Sequence, residues 1–233
     1  MSRLAYISDE NLDAALKNLY DRAQAGLKRA KTHFDRNVID PFSLIIEMDQ
    51  FGITTPSEWI AFEERRQAQK NLVQALGDFH QGILGSVEGW TNTGHGGGVD
   101  ILSEDSKVVA EIKNKHNTIK GSDKTGLYDS LADEVLPKNS KYHGYTAYYV
   151  EIIPKGEKRF DKPFTPSTRR TGLQKPANDK IRTIDGVSFY KMVTGRDHAL
   201  KELFEVLMTD LSNKYSLDED QKNLINGFFN KAF

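Results

Sequence analysis

The chain of 233 residues carries 32 Lys and Arg against 33 Asp and Glu, a formal net charge of −1, so no global field marks it for a polyanion, a membrane surface or an acidic substrate. It has no cysteine, which excludes disulfides, thiol catalysis and thiolate metal centres and suits a reducing cytoplasm. Residues 1–9 lack the apolar core of a signal peptide, and no segment approaches the roughly 18 apolar residues of a membrane span, so a cytoplasmic protein without a membrane partner is expected.

Leu12, Leu16, Leu19 and Leu27 recur near helical spacing behind Ser8 or Asp9 as a cap, which predicts a helix over 9–33. A second helix is predicted over 41–51, with Pro41 in its first turn and Gly52 ending it. Thr55-Pro56-Ser57-Glu58 then combines a cap, a proline and an early acid, and Trp59, Phe62, Leu72, Val73, Leu76, Phe79 and Ile83 carry a third helix to about residue 84.

From Gly85 the pattern changes to short apolar runs divided by glycine and charged turns. Strands are predicted over 87–90, 99–102, 107–113, 145–153 and 186–193, with a helix over 125–136 and terminal helices over 197–215 and 218–232. This order predicts one domain of α/β or α+β class, a mixed central sheet flanked by helices behind a helical N-terminal third. Its parts are the helical 1–84, a sheet core over 85–153, a basic insert over 154–183, and a closing strand with the C-terminal helices over 184–233. No internal repeat and no low-complexity segment interrupts it.

The insert holds Lys155, Lys158, Arg159, Lys162, Arg169, Arg170, Lys175, Lys180 and Arg182 against Glu157, Asp161 and Asp179, punctuated by Pro163, Pro166, Gly172 and Pro176. A structureless stretch this long within a compact domain is either functional or disordered. It is also the local basic patch that the balanced net charge conceals.

Chemistry concentrates in Val99-Asp100-Ile101-Leu102 and Val108-Val109-Ala110-Glu111-Ile112-Lys113. Side chains alternate faces along a strand, so Val109, Glu111 and Lys113 share one face while Val108, Ala110 and Ile112 share the other. If the two runs form a hairpin, the carboxylates of Asp100 and Glu111 converge. A hard divalent cation such as Mg²⁺ takes one or two carboxylates and completes its shell with water and substrate phosphate. Asp100, Glu111 and the backbone carbonyl of Ile112 meet that demand, and Lys113 beside them suits the orientation of a water and the offsetting of transition-state charge. The expected reaction is metal-dependent phosphodiester hydrolysis. The same residues also suit a solvated cross-strand pair.

Other signals point elsewhere only weakly. His95-Gly96-Gly97-Gly98 matches an oxyanion-hole signature, but no Gly-x-Ser-x-Gly supplies the nucleophile. The same glycines lack the Gly-Lys-Ser/Thr of a phosphate loop and the third glycine of a dinucleotide fold, so their plainer use is a tight turn before Asp100. The six histidines show no zinc spacing. Tyr145, Tyr148, Tyr149, Trp59 and Phe62 are expected in the core rather than stacked on bases.

Asp100 and Glu111-Ile112-Lys113, on adjacent apolar runs between two helices, resemble the PD-(D/E)xK nuclease superfamily. Asn114-Lys115-His116-Asn117-Thr118, the glycines before Asp100 and the tail Val193-Thr194-Gly195-Arg196-Asp197-His198-Ala199-Leu200 are similar to type II restriction endonucleases, most specifically to the group cutting GGNCC or GGWCC sites. Val99 stands where the superfamily name has proline. The resemblance implies a restriction-endonuclease-like core, Asp100 and Glu111 as Mg²⁺ ligands and Lys113 as catalytic lysine. Members often add an acid from the preceding helix, for which Glu63 or Glu64, and after them Glu47, stand in place; each also suits an ordinary solvated helix face.

The resemblance also implies double-stranded DNA as substrate, with Asn114, Lys115, His116 and Asn117 at the scissile phosphate or groove. Arg169 and Arg170 suit bidentate guanine readout, and Lys175 and Arg182 suit phosphates. A homodimer on a palindromic site is expected, with a methyltransferase as genetic partner rather than in complex. A repair or structure-specific nuclease on the same scaffold, and a DNA-binding protein without catalysis, remain the alternatives.

Overall fold

Helix boundaries in the first third follow capping chemistry. In the computed structural model, which describes residues 2–32, 34, 38–94, 98–156, 158–168 and 171–233, α1 spans Asp9–Thr32. Ser8 caps it through a hydrogen bond from the Asn11 N–H at 3.2 Å. α2 spans Pro41–Phe51, with the Asp40 carboxylate accepting from the N–H groups of Phe42 and Ser43 and Gly52 closing it at φ 63°. α3 spans Pro56–Leu84; Thr55 Oγ1 accepts from the Glu58 N–H at 3.3 Å while the Glu58 carboxylate accepts from the Thr54 N–H at 3.0 Å. In each helix a first-turn N–H thus finds a side-chain oxygen.

By internal packing the chain forms two units, Ala14–Phe79 and a second made of Met1–Asp13 with His80–Phe233. The first is helical. The second is built on a six-stranded sheet in the order β1-β2-β3-β4-β6-β5, from β1 (Thr91–Asn92), β2 (Ile101–Ser103), β3 (Val108–Lys115), β4 (Thr146–Ile153), β5 (Asp161–Pro163) and β6 (Ile181–Asp185). β1, β2 and β3 pair antiparallel, β3, β4 and β6 run parallel, and β5 returns antiparallel on β6. The mixed α/β architecture expected from the sequence is therefore present.

The central strands read as nearly continuous apolar runs because both their faces are covered. On one side α4 (Lys124–Val135) sets Tyr128, Leu131 and Val135 against Leu102, Val109, Ala147, Tyr149 and Ile181. On the other side α5 (Gly186–Thr194) brings Phe189 to 6.1 Å from the ring of Tyr148, and α6 (Ala199–Tyr215) packs on α5. α7 (Glu219–Ala232) ends the chain, with a capping box between Asp218 and Gln221. Trp59, Tyr148 and Tyr149 are buried as expected, with Phe62 and Tyr145 partly so. Among the described residues no helix is long and apolar enough to cross a membrane.

Four local expectations are corrected. Residues 87–90 form turns rather than a strand, with Val87 and Trp90 N–H groups bonded three residues back, and pairing begins only at Thr91. Residues 186–193 form α5, not a strand. Asp185 caps it by accepting from the Ser188 N–H, Gly195 ends it at φ 69°, and its buried positions Gly186, Phe189, Tyr190 and Val193 follow helical spacing. The closing strand is β6 instead. The insert is not structureless: β5, β6 and a bridge between Ser167 and Gln174 order it. Finally, β3 runs on to Lys115, so Asn114 and Lys115 belong to it rather than to a following turn.

Gly186 is where α5 meets the sheet most closely, since a Cβ there would lie 2.4 Å from the Ile152 carbonyl oxygen and 2.7 Å from its Cα. Backbone cannot move aside as a flexible side chain can. Gly186→Ala should therefore destabilise the second unit by about 2–3 kcal/mol, the upper part of the overpacking range. Denaturant unfolding checks this, and a wild-type midpoint would show that the approach is looser than described.

Candidate active site

The pairing of β2 with β3 decides which side chains meet. Ile101 sits opposite Ala110 and Leu102 opposite Val109, and Asp100, just before β2, meets β3 between Ala110 and Ile112. The Asp100 N–H donates to the Ala110 carbonyl at 2.9 Å, and its own carbonyl accepts from the Thr93 N–H at 3.0 Å. Its side chain is fixed as well, because Asp100 Oδ2 accepts from the Ile112 N–H at 2.6 Å. A charged acceptor makes this about 1.5–3 kcal/mol, roughly twice a neutral pair. Gly98 enters the turn before Asp100 at φ 75°, which is the tight turn expected of a glycine there.

Glu111 and Lys113 project together, as strand alternation predicts, while Ile112 between them is buried on the opposite face. The Lys113 ammonium pairs with Glu111 Oε1, and their side chains are only 25% and 20% exposed, so the pair is largely shielded from water. In register on the parallel neighbour, Glu111 faces Tyr149 and Lys113 faces Glu151. Burial first, then the carboxylates of Glu151 and Glu111, push the Tyr149 hydroxyl well above its ordinary range. Tyr149 therefore stays neutral.

Two further groups reach this face that sequence reading passed over. Glu151 is buried, and Lys124, the first residue of α4, pairs with its Oε1 at 2.6 Å while lying 5.1 Å above the Tyr149 ring. The signal in the sequence is the lone acid in the run Thr146-Ala147-Tyr148-Tyr149-Val150-Glu151-Ile152-Ile153, on the same face as Tyr149 by the period of two.

A divalent cation fits this set chemically. Among the described residues no group of three or more His, Cys, Asp and Glu side chains converges as a metal site. A cation here would have the Asp100 and Glu111 carboxylates with the Ile112 carbonyl as its protein donors, all oxygen and few, as a hard ion that keeps waters requires.

The other expected site residues are placed as follows. Asn114 is buried on the face opposite Lys113. Lys115 and Asn117 are exposed, and His116 donates its N–H to the Ile153 carbonyl at 3.0 Å while its buried Nδ1 finds no hydrogen-bond partner. Lys175 Nζ is held by Asp129 at 2.6 Å, and Arg182 Nε by Asp161 at 2.7 Å. Arg169 and Arg170, with His95, Gly96 and Gly97, lie outside the described residues.

Glu63, Glu64 and Glu47 belong to the helical unit. Glu63 is buried, accepts from Arg66 Nε and Nη2 at 2.5 and 2.6 Å and from Gln67 Nε2 at 2.9 Å, and is held below the ordinary carboxylate range chiefly by Arg66. Glu64 is half-buried on the same helix, and Glu47 accepts from the Trp59 indole N–H at 3.1 Å.

Comparison with known proteins places these residues in a family. Residues 4–215 match the Eco47II restriction endonuclease model. The chain is 45% identical over 207 residues to the type II restriction enzyme Eco47II of Escherichia coli, covering 89% of this chain and 86% of that one. It is 34% identical over 208 residues to the type II restriction enzyme Sau96I of Staphylococcus aureus, covering 86% of this chain and 76% of that one. No solved structure matches it.

The Glu63 environment carries its own test. A carboxyl held low in the folded state stabilises fully above its unfolded pKa and loses that contribution as pH falls through the folded value. Because Arg66 is 57% exposed, screening limits the contribution to about 1 kcal/mol. Glu63→Gln should therefore lower stability by that amount at pH 7, and the gap to wild type should close below about pH 4. Denaturant midpoints across pH measure it; a gap constant with pH would mean that the ion pair contributes nothing.

Proposed function

The chain belongs to the Eco47II restriction endonuclease family, and from that premise we propose that it cuts double-stranded DNA at a short GC-rich palindrome of the GGNCC kind with Mg²⁺ as cofactor. It is a type II site-specific deoxyribonuclease, a phosphodiester hydrolase of a restriction–modification system. Enzymes of this type act on double-stranded DNA and generally use a divalent metal.

The observation that carries the reading is the convergence of Asp100, Glu111 and Lys113, with Asp100 locked to the Ile112 N–H. Asp100 and Glu111 would hold the cation, with the Ile112 carbonyl as a third oxygen. When bound, the cation polarises the phosphoryl oxygen and lowers the pKa of water. Lys113 orients the attacking water and offsets the charge that grows on phosphorus-bound oxygens as the water oxygen bonds to phosphorus and the ester P–O bond breaks. Tyr149, neutral and buried, supports the floor of the site without taking a proton.

A two-fold symmetric site calls for a two-fold symmetric enzyme, so the assembly proposed is a homodimer in which each subunit cuts one strand. The setting proposed is the cytoplasm, with a methyltransferase encoded as genetic partner. Arg169 and Arg170 are assigned to guanine readout, and Asn114 to Asn117 to the neighbourhood of the cut.

A digest of fully sequenced plasmid DNA should give discrete fragments with Mg²⁺ and none with EDTA, and sequenced ends should identify the site. Smearing, or nicking confined to forks, would assign the chain to repair instead. Asp100→Asn should reduce cleavage at least ~10³-fold while retaining DNA binding, and Lys113→Ala about 10²–10³-fold, as for loss of one preorganised charge-stabilising donor. Full activity in Asp100→Asn would sink this mechanism.

A further inference from the structure

The mechanism above uses Asp100, Glu111 and Lys113 and leaves a third acid and a second lysine beside them without a task. Glu151 is the single charged residue of β4, is 9% exposed, and stands in register with Lys113. Its carboxylate is paired with Lys124, whose ammonium also lies over Tyr149, the register partner of Glu111. Adjacent strands are about 4.8 Å apart, so Lys113 and Lys124 present two cationic centres over neighbouring strands on one face.

Lys124 also borders a cavity of about 230 Å³, lined with it by Glu151, Lys155, Phe160 and Lys162. The Lys162 ammonium sits 5.0 Å from the Phe160 ring on that wall. Three lysines and one acid thus line the cavity. Burying a lone carboxylate in an apolar strand to hold one lysine adds little stability, since apolar residues of the same shape would serve as well. An ammonium has three donors, and Glu151 takes one of them at Oε1.

We propose that Lys124 binds a phosphate of the DNA substrate other than the one cut, and that Glu151 is the positioning residue that aims it. The inference rests on the nuclease reading above. It gives the start of α4 a part in seating the duplex, so that the scissile phosphate meets Lys113 in a fixed register.

The test separates this role from a merely structural ion pair. In the cleavage-inactive Asp100→Asn chain, Lys124→Gln should weaken binding of a site-bearing duplex about 5–10-fold at 0.15 M salt and reduce the slope of log K against log salt by about 0.9, the value of one phosphate contact. Lys124→Arg should restore the slope. Glu151→Gln, with Asp100 intact, should keep the slope and KM but lower kcat about tenfold, since the charge remains and its aim is lost. In the wild-type chain, site DNA should protect Lys124 Nζ from reductive methylation, a readout independent of whether any variant folds.

A wild-type slope in Lys124→Gln, or equal methylation of Lys124 with and without DNA, overturns the proposal while leaving the nuclease reading intact. A wild-type chain that neither cuts nor binds DNA overturns both.

Discussion

The candidate site depends on one hydrogen bond, from the Ile112 N–H to the Asp100 carboxylate at 2.6 Å. β2 has only three residues, and its pairing alone is a short ladder to carry a catalytic geometry. A slip of one residue against β3 would exchange the two faces of β2 and take Asp100 away from the Ile112 N–H. The side-chain bond opposes that slip directly, because only one register offers Oδ2 to Ile112. The ladder bonds of Asp100 to Ala110 and Thr93 then fix the backbone from both sides. Burial completes the constraint: Ile101, Val109, Ala110 and Ile112 are 0–1% exposed, and none can change faces without leaving the core.

Given that register, the charges of the face pair off along the sheet. Glu111 takes Lys113 and Glu151 takes Lys124. Glu111 and Glu151 each arrive with an ammonium, which offsets the desolvation that an isolated carboxylate would suffer, while Asp100 accepts from the Ile112 N–H. Lys113 has a second carboxylate close by, since Glu151 is its register partner. Any competition for Glu111 by a stronger cation therefore leaves Lys113 beside another counter-charge. Neutral Tyr149, between the two acids, adds bulk without adding a charge to balance.

What the sequence makes legible follows from whether a signal is local. Asp40-Pro41 and Gly52 bound α2 because caps act within one turn, and strand alternation correctly separates Glu111 and Lys113 from Ile112. The misread 186–193 shows the opposite case. Val187, Phe189 and Val193 favour a strand by composition, yet Gly186, Phe189, Tyr190 and Val193 already repeat at helical spacing, and Asp185 and Gly195 mark both ends. Residue preference there yields to capping and to the need to cover β4 and β6. The pairing of Glu151 with Lys124 leaves no such local mark, because it joins residues 27 apart through a parallel crossover that no local rule specifies.

The basic insert shows why counting charges misleads. Read as composition, its nine cations suggest an open polyanion patch. In the fold, Lys175 answers Asp129, Arg182 answers Asp161, and Arg159 lies 3.8 Å from the buried Asp185. Lys158 and Lys180 donate to the carbonyls of Asn230 and Gly144. These interactions tie the segment to the sheet, which β5 and β6 also do by pairing antiparallel. Much of the positive charge thus serves anchoring, and a count of lysines and arginines overstates what the segment offers to a polyanion. Lys124 is held otherwise, by an acid of the central strand β4 that stands in register with Lys113.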